Sequence, residues 1–358
     1  MTEDVERLHL VVTGETPARL GRSRGEQLRH SLAEAYEWYA RIFRAAEVTE
    51  AHEQEAVEQT VNALRAWRPE TVAEMEGVAR GASVSLDQVV ALNARTEILA
   101  LGVLASKECS TIAARVGGAD GVGRMMGAQT WDWHVELDRF WHTHEVAGPG
   151  YRFAGMTEQG LLSKIGVNSA GLALHFNILG HEQDGPGGVP MHVLSGVVLS
   201  ECATVDEAIE LVRSAPLSSS SSFTLIDRDA AVSLEISPVG VFEVPQRDGS
   251  VVRTNSFQTP VPLAGQKAAF EPDSSARFDL VRTRLAGGLP RDETRLLRML
   301  ETAVGEPPVT CRPDMSKAFG ERWATLCTCI TDPEARTIRI LDGMPTEAET
   351  GSWYTFTV

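Results

Sequence analysis

The apolar residues of this chain change their spacing near residue 109, and that change limits what the chain can fold into. From Arg24 to about Ala46, the positions Leu28, Leu32, Tyr36, Tyr39 and Phe43 recur every three or four residues, the period of a helix with one buried face. A second helix is predicted over about 53–67, burying Val57, Val61 and Leu64, and Pro69 opens a third that carries Val72, Met75 and Val78. Ser85 followed by Gln88 is a capping box, and the helix it opens is predicted to run through 93–98 and stop near Gly102. The polar residues Asn93, Arg95, Thr96 and Glu97 on that helix are either surface or a buried hydrogen-bonded cluster.

Beyond residue 109 short β-type runs bounded by turn residues become the rule. Strands are predicted over 109–116, 125–133, 152–156, 163–167 and 172–178, then over 223–227, 232–236, 241–244 and 251–254, and finally over 324–330, 337–341 and 353–358. One more strand, 9–13, precedes the helical part. Asp120-Gly121 and Asp248-Gly249 favour tight hairpin turns because glycine tolerates positive φ. Helices interrupt at about 190–202, 205–213, 275–286 and 291–302. The glycine-rich stretch 181–188 reads as a mobile loop that either covers a site or merely connects, and the serine run 218–222 as a linker or the start of a strand. Many strands with grouped helices indicate an α+β fold rather than alternating α/β.

The formal charge of −16 over 358 residues, with no Lys/Arg cluster, argues against a nucleic-acid partner, whose phosphates need a basic surface, and against an anionic membrane partner. The apolar stretches 98–105 and 193–199 fall short of the roughly 18 residues a membrane span needs. Five cysteines, at 109, 202, 311, 327 and 329, are odd in number and form no metal-like CxxC pair, which indicates a reducing compartment. With an acidic N-terminus lacking a secretory pattern, the expected location is cytoplasmic. His142 and His144 lie two apart, as paired metal ligands would, but no third ligand accompanies them, and neither metal nor cofactor is expected. Cys327 and Cys329 read as strand packing, and His192 as a pocket residue or a structural one at a helix start.

Cys109 sits where the texture changes. If the Glu108–Cys109 bond is cut, the cysteine becomes an N-terminus with its thiol beside its own α-amine. That amine titrates near about 7.7–8.0 and the thiol near about 8.5, so the amine can serve as base for its own sulfur without a histidine. Taken alone, a free cysteine is more often a small buried hydrophobe.

The chain resembles the acyl-coenzyme A:isopenicillin N acyltransferase family of N-terminal-nucleophile enzymes. The matching stretches run from Asn93-Ala-Arg-Thr-Glu through Cys109-Ser-Thr, Gly127-Ala-Gln-Thr-Trp-Asp132, Met156-Thr-Glu-Gln-Gly-Leu and Lys164-Ile-Gly-Val-Asn-Ser-Ala-Gly-Leu172. They continue with Gly188-Val-Pro-Met-His192, Arg253-Thr-Asn255, Thr310-Cys-Arg312 and Arg322-Trp-Ala-Thr-Leu326. The resemblance implies a four-layer αββα sandwich and a precursor that cuts itself between Glu108 and Cys109. Residues 1–108 would form a helical α fragment and 109–358 a β fragment carrying the nucleophile and both sheets, the two staying associated. It also implies Cys109 as nucleophile, Asp132 as the motif aspartate, Asn255 as an oxyanion donor and Arg322 as a further site residue. Glu108 stands where the family often has glycine.

Three functions follow. The first is an autoprocessed cysteine amidohydrolase that cleaves a small N-acyl amine or amino acid through a Cys109 acyl-enzyme. The second is an N-acyltransferase that loads the same cysteine from acyl-CoA as co-substrate. The third, kept open by Glu108, is an unprocessed protein that binds a small molecule without turnover.

Overall fold

Strand side chains alternate between two faces, so a strand buried on both sides needs a sheet against one face and a helix against the other. The structure, a computed structural model that describes residues 7–102, 109–117, 123–267 and 273–358, meets that need with four layers. Its strands are β1 (His9–Thr13), β2 (Ser110–Val116), β3 (Arg124–His134), β4 (Trp141–Ala147), β5 (Phe153–Glu158), β6 (Ile165–Asn168) and β7 (Ala173–Ile178). They continue as β8 (Ser221–Ile226), β9 (Ala231–Ser237), β10 (Gly240–Pro245), β11 (Ser250–Arg253), β12 (Trp323–Asp332), β13 (Thr337–Asp342) and β14 (Trp353–Thr357). One sheet has the order β1-β4-β5-β6-β7-β8-β9-β10, the other β11-β2-β3-β12-β13-β14. Pairing is antiparallel throughout except between β1 and β4.

The sheets meet through buried polar contacts as well as apolar packing. Thr111 Oγ1 donates to Asn177 Oδ1 at 2.7 Å, His175 contacts Thr331 at 2.8 Å, and Arg253 of β11 reaches Glu235 of β9 at 2.7 Å. Helices α1 (Pro17–Gln27), α2 (Leu32–Ala45), α3 (Glu50–Trp67), α4 (Pro69–Ala82), α5 (Leu86–Asn93), α6 (Arg95–Leu99), α7 (Met191–Glu201) and α8 (Val205–Ser214) precede β8 along the chain. The short α9 (Pro260–Leu263) is followed by α10 (Ser274–Ala286) and α11 (Glu293–Arg298). Val281, Leu285, Leu296 and Leu297 of the last two pack on Ile112, Ala114, Met126 and Ala128, covering the outer face of the six-stranded sheet. The outcome is the expected α+β sandwich. Among the described residues no helix is long and apolar enough to cross a membrane.

The helical third departs from expectation in two places. The helix read over 24–46 is two, α1 and α2, separated by a turn at Leu28–Ser31. The first begins at Pro17, seven residues ahead of the predicted start at Arg24, because Gly21 and Gly25 weaken the helical signal there. Those glycines serve contact with α4: a Cβ on Gly21 would lie 1.8 Å from Glu74 O, and one on Gly25 2.2 Å from Val78 O. Gly77 and Gly81 answer from the other side, at 2.3 Å from Ala18 O and 2.5 Å from Arg22 O. The helix after the Ser85 capping box likewise breaks, at Ala94, so that Asn93, Arg95, Thr96 and Glu97 turn inward and are all buried.

Elsewhere open readings are resolved. The serine run leads into β8, with Ser221 and Ser222 fully buried. The stretch 181–188 is tied down by His181 N to Asp184 Oδ2 at 2.6 Å and Gly185 N to Ser218 O at 2.8 Å. Asp248 and Gly249 have φ of 53° and 73°, as a two-residue hairpin turn requires. Asp120 and Gly121 lie outside the described residues.

Candidate active site

Cys109 stands at the entrance to β2 with its side chain in the apolar core between the sheets, 1 % exposed. Glu108, on the other side of the expected cleavage bond, lies outside the described residues. Because side chains alternate along β2, Ser110 faces the opposite way, toward α10, and the two residues join different neighbours. The Cys109 carbonyl oxygen accepts from Asn177 Nδ2 at 2.8 Å and from Arg277 Nη1 at 3.3 Å.

Arg277, on the first turn of α10, is the hub that the sequence did not single out. Its guanidinium also donates to Ser110 Oγ at 2.8 Å, Asn255 Oδ1 at 2.9 Å and Asp273 Oδ1 at 3.0 Å, with the residue only 2 % exposed. Asn255 is thereby joined to Cys109 through one planar group. Its Nδ2 donates to Ile178 O at 2.8 Å, and its backbone N–H donates to Ser274 Oγ at 2.9 Å. The Asn255 amide nitrogen carries two hydrogens, so one remains after the Ile178 bond.

Asp132 is buried on β3 opposite Thr325 of β12, whose hydroxyl donates to Asp132 Oδ1 at 2.6 Å. Burial pushes its carboxyl up to about 6; the Thr325 bond and the Arg277 charge pull it down, and Asp273 pushes it up again. Arg277 therefore links Cys109 and Asn255 by hydrogen bonds and acts on Asp132 through its field.

Arg322 stands apart from that group. Its Nε donates to Lys317 O at 2.8 Å, its Nη1 lies 3.6 Å from Glu136, and its side chain is 31 % exposed. None of its hydrogen bonds goes to Cys109, Asp132 or Asn255. His142 and His144 are adjacent buried rings on β4, with centroids 6.1 Å apart, and the described residues contain no group of three His, Cys, Asp or Glu side chains fit to hold a metal. His192 is buried against Phe176, with Nδ1 3.3 Å from Asn93 O. Cys327 and Cys329 are buried in β12.

A second ionic cluster lies nearby. Glu158 of β5 accepts from Arg95 Nη2 at 2.5 Å, from Lys164 Nζ at 2.9 Å and from the Tyr39 hydroxyl. Trp133 Nε1 donates to that hydroxyl at 2.9 Å, and Arg95 lies 3.9 Å over the Trp133 ring. Tyr39 and Arg95 precede residue 109; the others follow it.

Comparison with known proteins places the chain in a family. The family model of acyl-coenzyme A:6-aminopenicillanic acid acyl-transferase matches residues 120–347. The 40 kDa form of acyl-coenzyme A:6-aminopenicillanic-acid-acyltransferase from Emericella nidulans is 26 % identical over 343 residues, covering 94 % of this chain and 93 % of that protein. Two similar solved structures are penicillin V acylase from Agrobacterium tumefaciens and a variant of conjugated bile acid hydrolase from Clostridium perfringens. The first has TM-score 0.45 and 16 % identity over 69 % of this chain and 86 % of its own. The second has TM-score 0.45 and 12 % identity over 69 % and 92 %. The chain belongs to the acyl-coenzyme A:6-aminopenicillanic acid acyl-transferase family.

Proposed function

We propose that this protein, by family an amide hydrolase or N-acyltransferase, is an autoprocessed cysteine amidohydrolase that cleaves a small N-acyl amine or amino acid. One observation carries the reading: a single buried guanidinium, Arg277, holds both the Cys109 carbonyl and the Asn255 side chain. It fixes the nucleophile's backbone relative to a side-chain amide suited to bind an oxyanion.

In the precursor the nitrogen of Cys109 is a peptide nitrogen. Attack of Sγ on the Glu108 carbonyl carbon forms a thioester and frees that nitrogen as an amine; water then releases Glu108 as a carboxylate and restores the thiol. In turnover the α-amine takes the thiol proton, Sγ attacks the substrate amide carbon, and the proton passes to the departing amine. Water resolves the acyl-thioester to a carboxylic acid. The second hydrogen of Asn255 Nδ2 is available to the oxyanion, a type of contact whose loss costs about 10²–10³ in rate. Asp132, whose carboxyl is pushed up to about 6 by burial, is proposed to help hold β3, the strand beside the one that Cys109 opens, through its bond from Thr325. Arg322 is proposed to orient a carboxylate of the substrate from outside the cluster. The reaction as written draws on no metal or cofactor.

Intact-mass spectrometry tests the reading. Wild type is expected as two fragments split between residues 108 and 109, held together in native solution, and Cys109→Ala as one chain. A wild type that stays whole would remove the amine mechanism and leave the non-catalytic binding protein. The Emericella relative favours one rival, in which acyl-CoA is co-substrate and an amine resolves the thioester. Acyl-CoA consumption that rises with added amine identifies it.

A further inference from the structure

A cavity of about 330 Å³ lies between α1, α4 and α7, on the helix-covered face of the eight-stranded sheet. That is within the range of small-molecule sites, about 300–1,000 Å³. One part of its wall is apolar, from Leu20, Val146, Phe153, Leu162 and Val197. Arg24 also lines it, although its side chain is only 1 % exposed.

This guanidinium is poorly matched by the protein. Nη1 lies 3.2 Å from His144 Nδ1, and burial holds His144 neutral, so that nitrogen accepts. Nη2 lies 3.5 Å from Glu74 Oε1, well beyond the about 2.7–2.9 Å of a charge-assisted hydrogen bond. Nε has no partner among the described residues. A buried donor without an acceptor is disfavoured, and the side chain that carries it is one of those lining the cavity.

The charges around it select the ligand. Glu74 and Glu70 line the cavity, and Glu201 lines it while paired with Arg68 at 2.9 Å, so an added anion meets carboxylates. An added cation meets Arg24. A neutral head that accepts from Arg24 Nε and donates to Glu74 suits both, and a carboxamide does this with one planar group.

We infer that this cavity is a second binding site, separate from Cys109, for a small neutral aliphatic amide. The carbonyl oxygen faces Arg24, the amide N–H faces Glu74, and the alkyl tail lies along Leu20, Phe153 and Val197. The inference stands whether or not Cys109 is the nucleophile.

Thermal-shift and calorimetric titrations with hexanamide, hexanoate and hexylamine, on Cys109→Ala protein to prevent turnover, test it. Hexanamide is expected to raise Tm and bind in the millimolar range, with the acid and the amine weaker by about tenfold or more. Arg24→Met and the cavity-narrowing Val197→Phe are each expected to abolish the hexanamide response. Should Arg24→Met fail to fold, Val197→Phe decides alone. No hexanamide response, a response that survives Val197→Phe, or equal binding of hexanoate or hexylamine would overturn the assignment.

Discussion

Asp132 and Trp133 are consecutive residues of β3 and point to opposite faces of the sheet, where each joins a different buried polar cluster. Glu158, bonded to the Tyr39 hydroxyl on Trp133's side, has two cations. Burial alone would raise its carboxyl, but Arg95 and Lys164 override that and hold it well below the usual carboxylate range. Asp132 has one hydroxyl and a guanidinium that acts only through its field, and burial leaves its carboxyl near 6. A fully paired charge stays fixed and ties elements together; an underpaired one changes state near neutral pH, as groups at catalytic sites do. Glu158 anchors α2 and α6 to the sheets, joining residues on both sides of the proposed cut, while Asp132 shares its face with Ser110 and feels the field of Arg277, which holds the Cys109 carbonyl.

That contrast can be broken experimentally. Cys109→Ala should abolish both self-cleavage and turnover, while its urea midpoint corresponds to a stability within about 1 kcal/mol of unprocessed wild type. Glu158→Gln should do the reverse, because Arg95 and Lys164 are left buried without their carboxylate. A loss of about 3–5 kcal/mol in urea unfolding is expected, with cleavage retained in whatever fraction folds. Equal effects of the two variants on stability would erase the distinction between the clusters.

Asn255→Ala should lower kcat by about 10²–10³ with less change in KM, measured on a small N-acyl substrate. Asp132 gives a pH signature. Its folded-state pKa is raised from the ordinary 3.8 to about 6, so the folded protein holds this proton more tightly than the unfolded chain. The group's contribution to stability is full below about pH 4 and is lost as pH rises through 6. Asp132→Asn should flatten that fall, which amounts to about 3 kcal/mol at most, in melts across this range. Arg322→Gln should be mildest for stability, within about 1 kcal/mol, since the side chain is partly exposed; a raised KM for carboxylate-bearing substrates would show its proposed role.

Much of the architecture was legible because strands and capped helices leave local marks. The Ser85–Gln88 box shows both of its hydrogen bonds, at 3.2 and 2.9 Å, and Pro69 opens α4. Helix α1 was hidden because its glycines serve contact with α4, a partner some fifty residues away. Arg277 was hidden for a similar reason. In the sequence it is one of several arginines on α10, with Arg282 and Arg284, and nothing local marks the one whose partner lies 168 residues earlier. Asn255 was found through its motif. The motif does not reveal that the arginine on its Oδ1 also holds the Cys109 carbonyl.

The most direct measurement is to mix processed enzyme with a slow N-acyl substrate, quench in acid and map the peptides. The account predicts the acyl mass on the thiol of a peptide that begins at Cys109 with a free α-amine. Acylation elsewhere, or at a Cys109 still joined to Glu108, would contradict it.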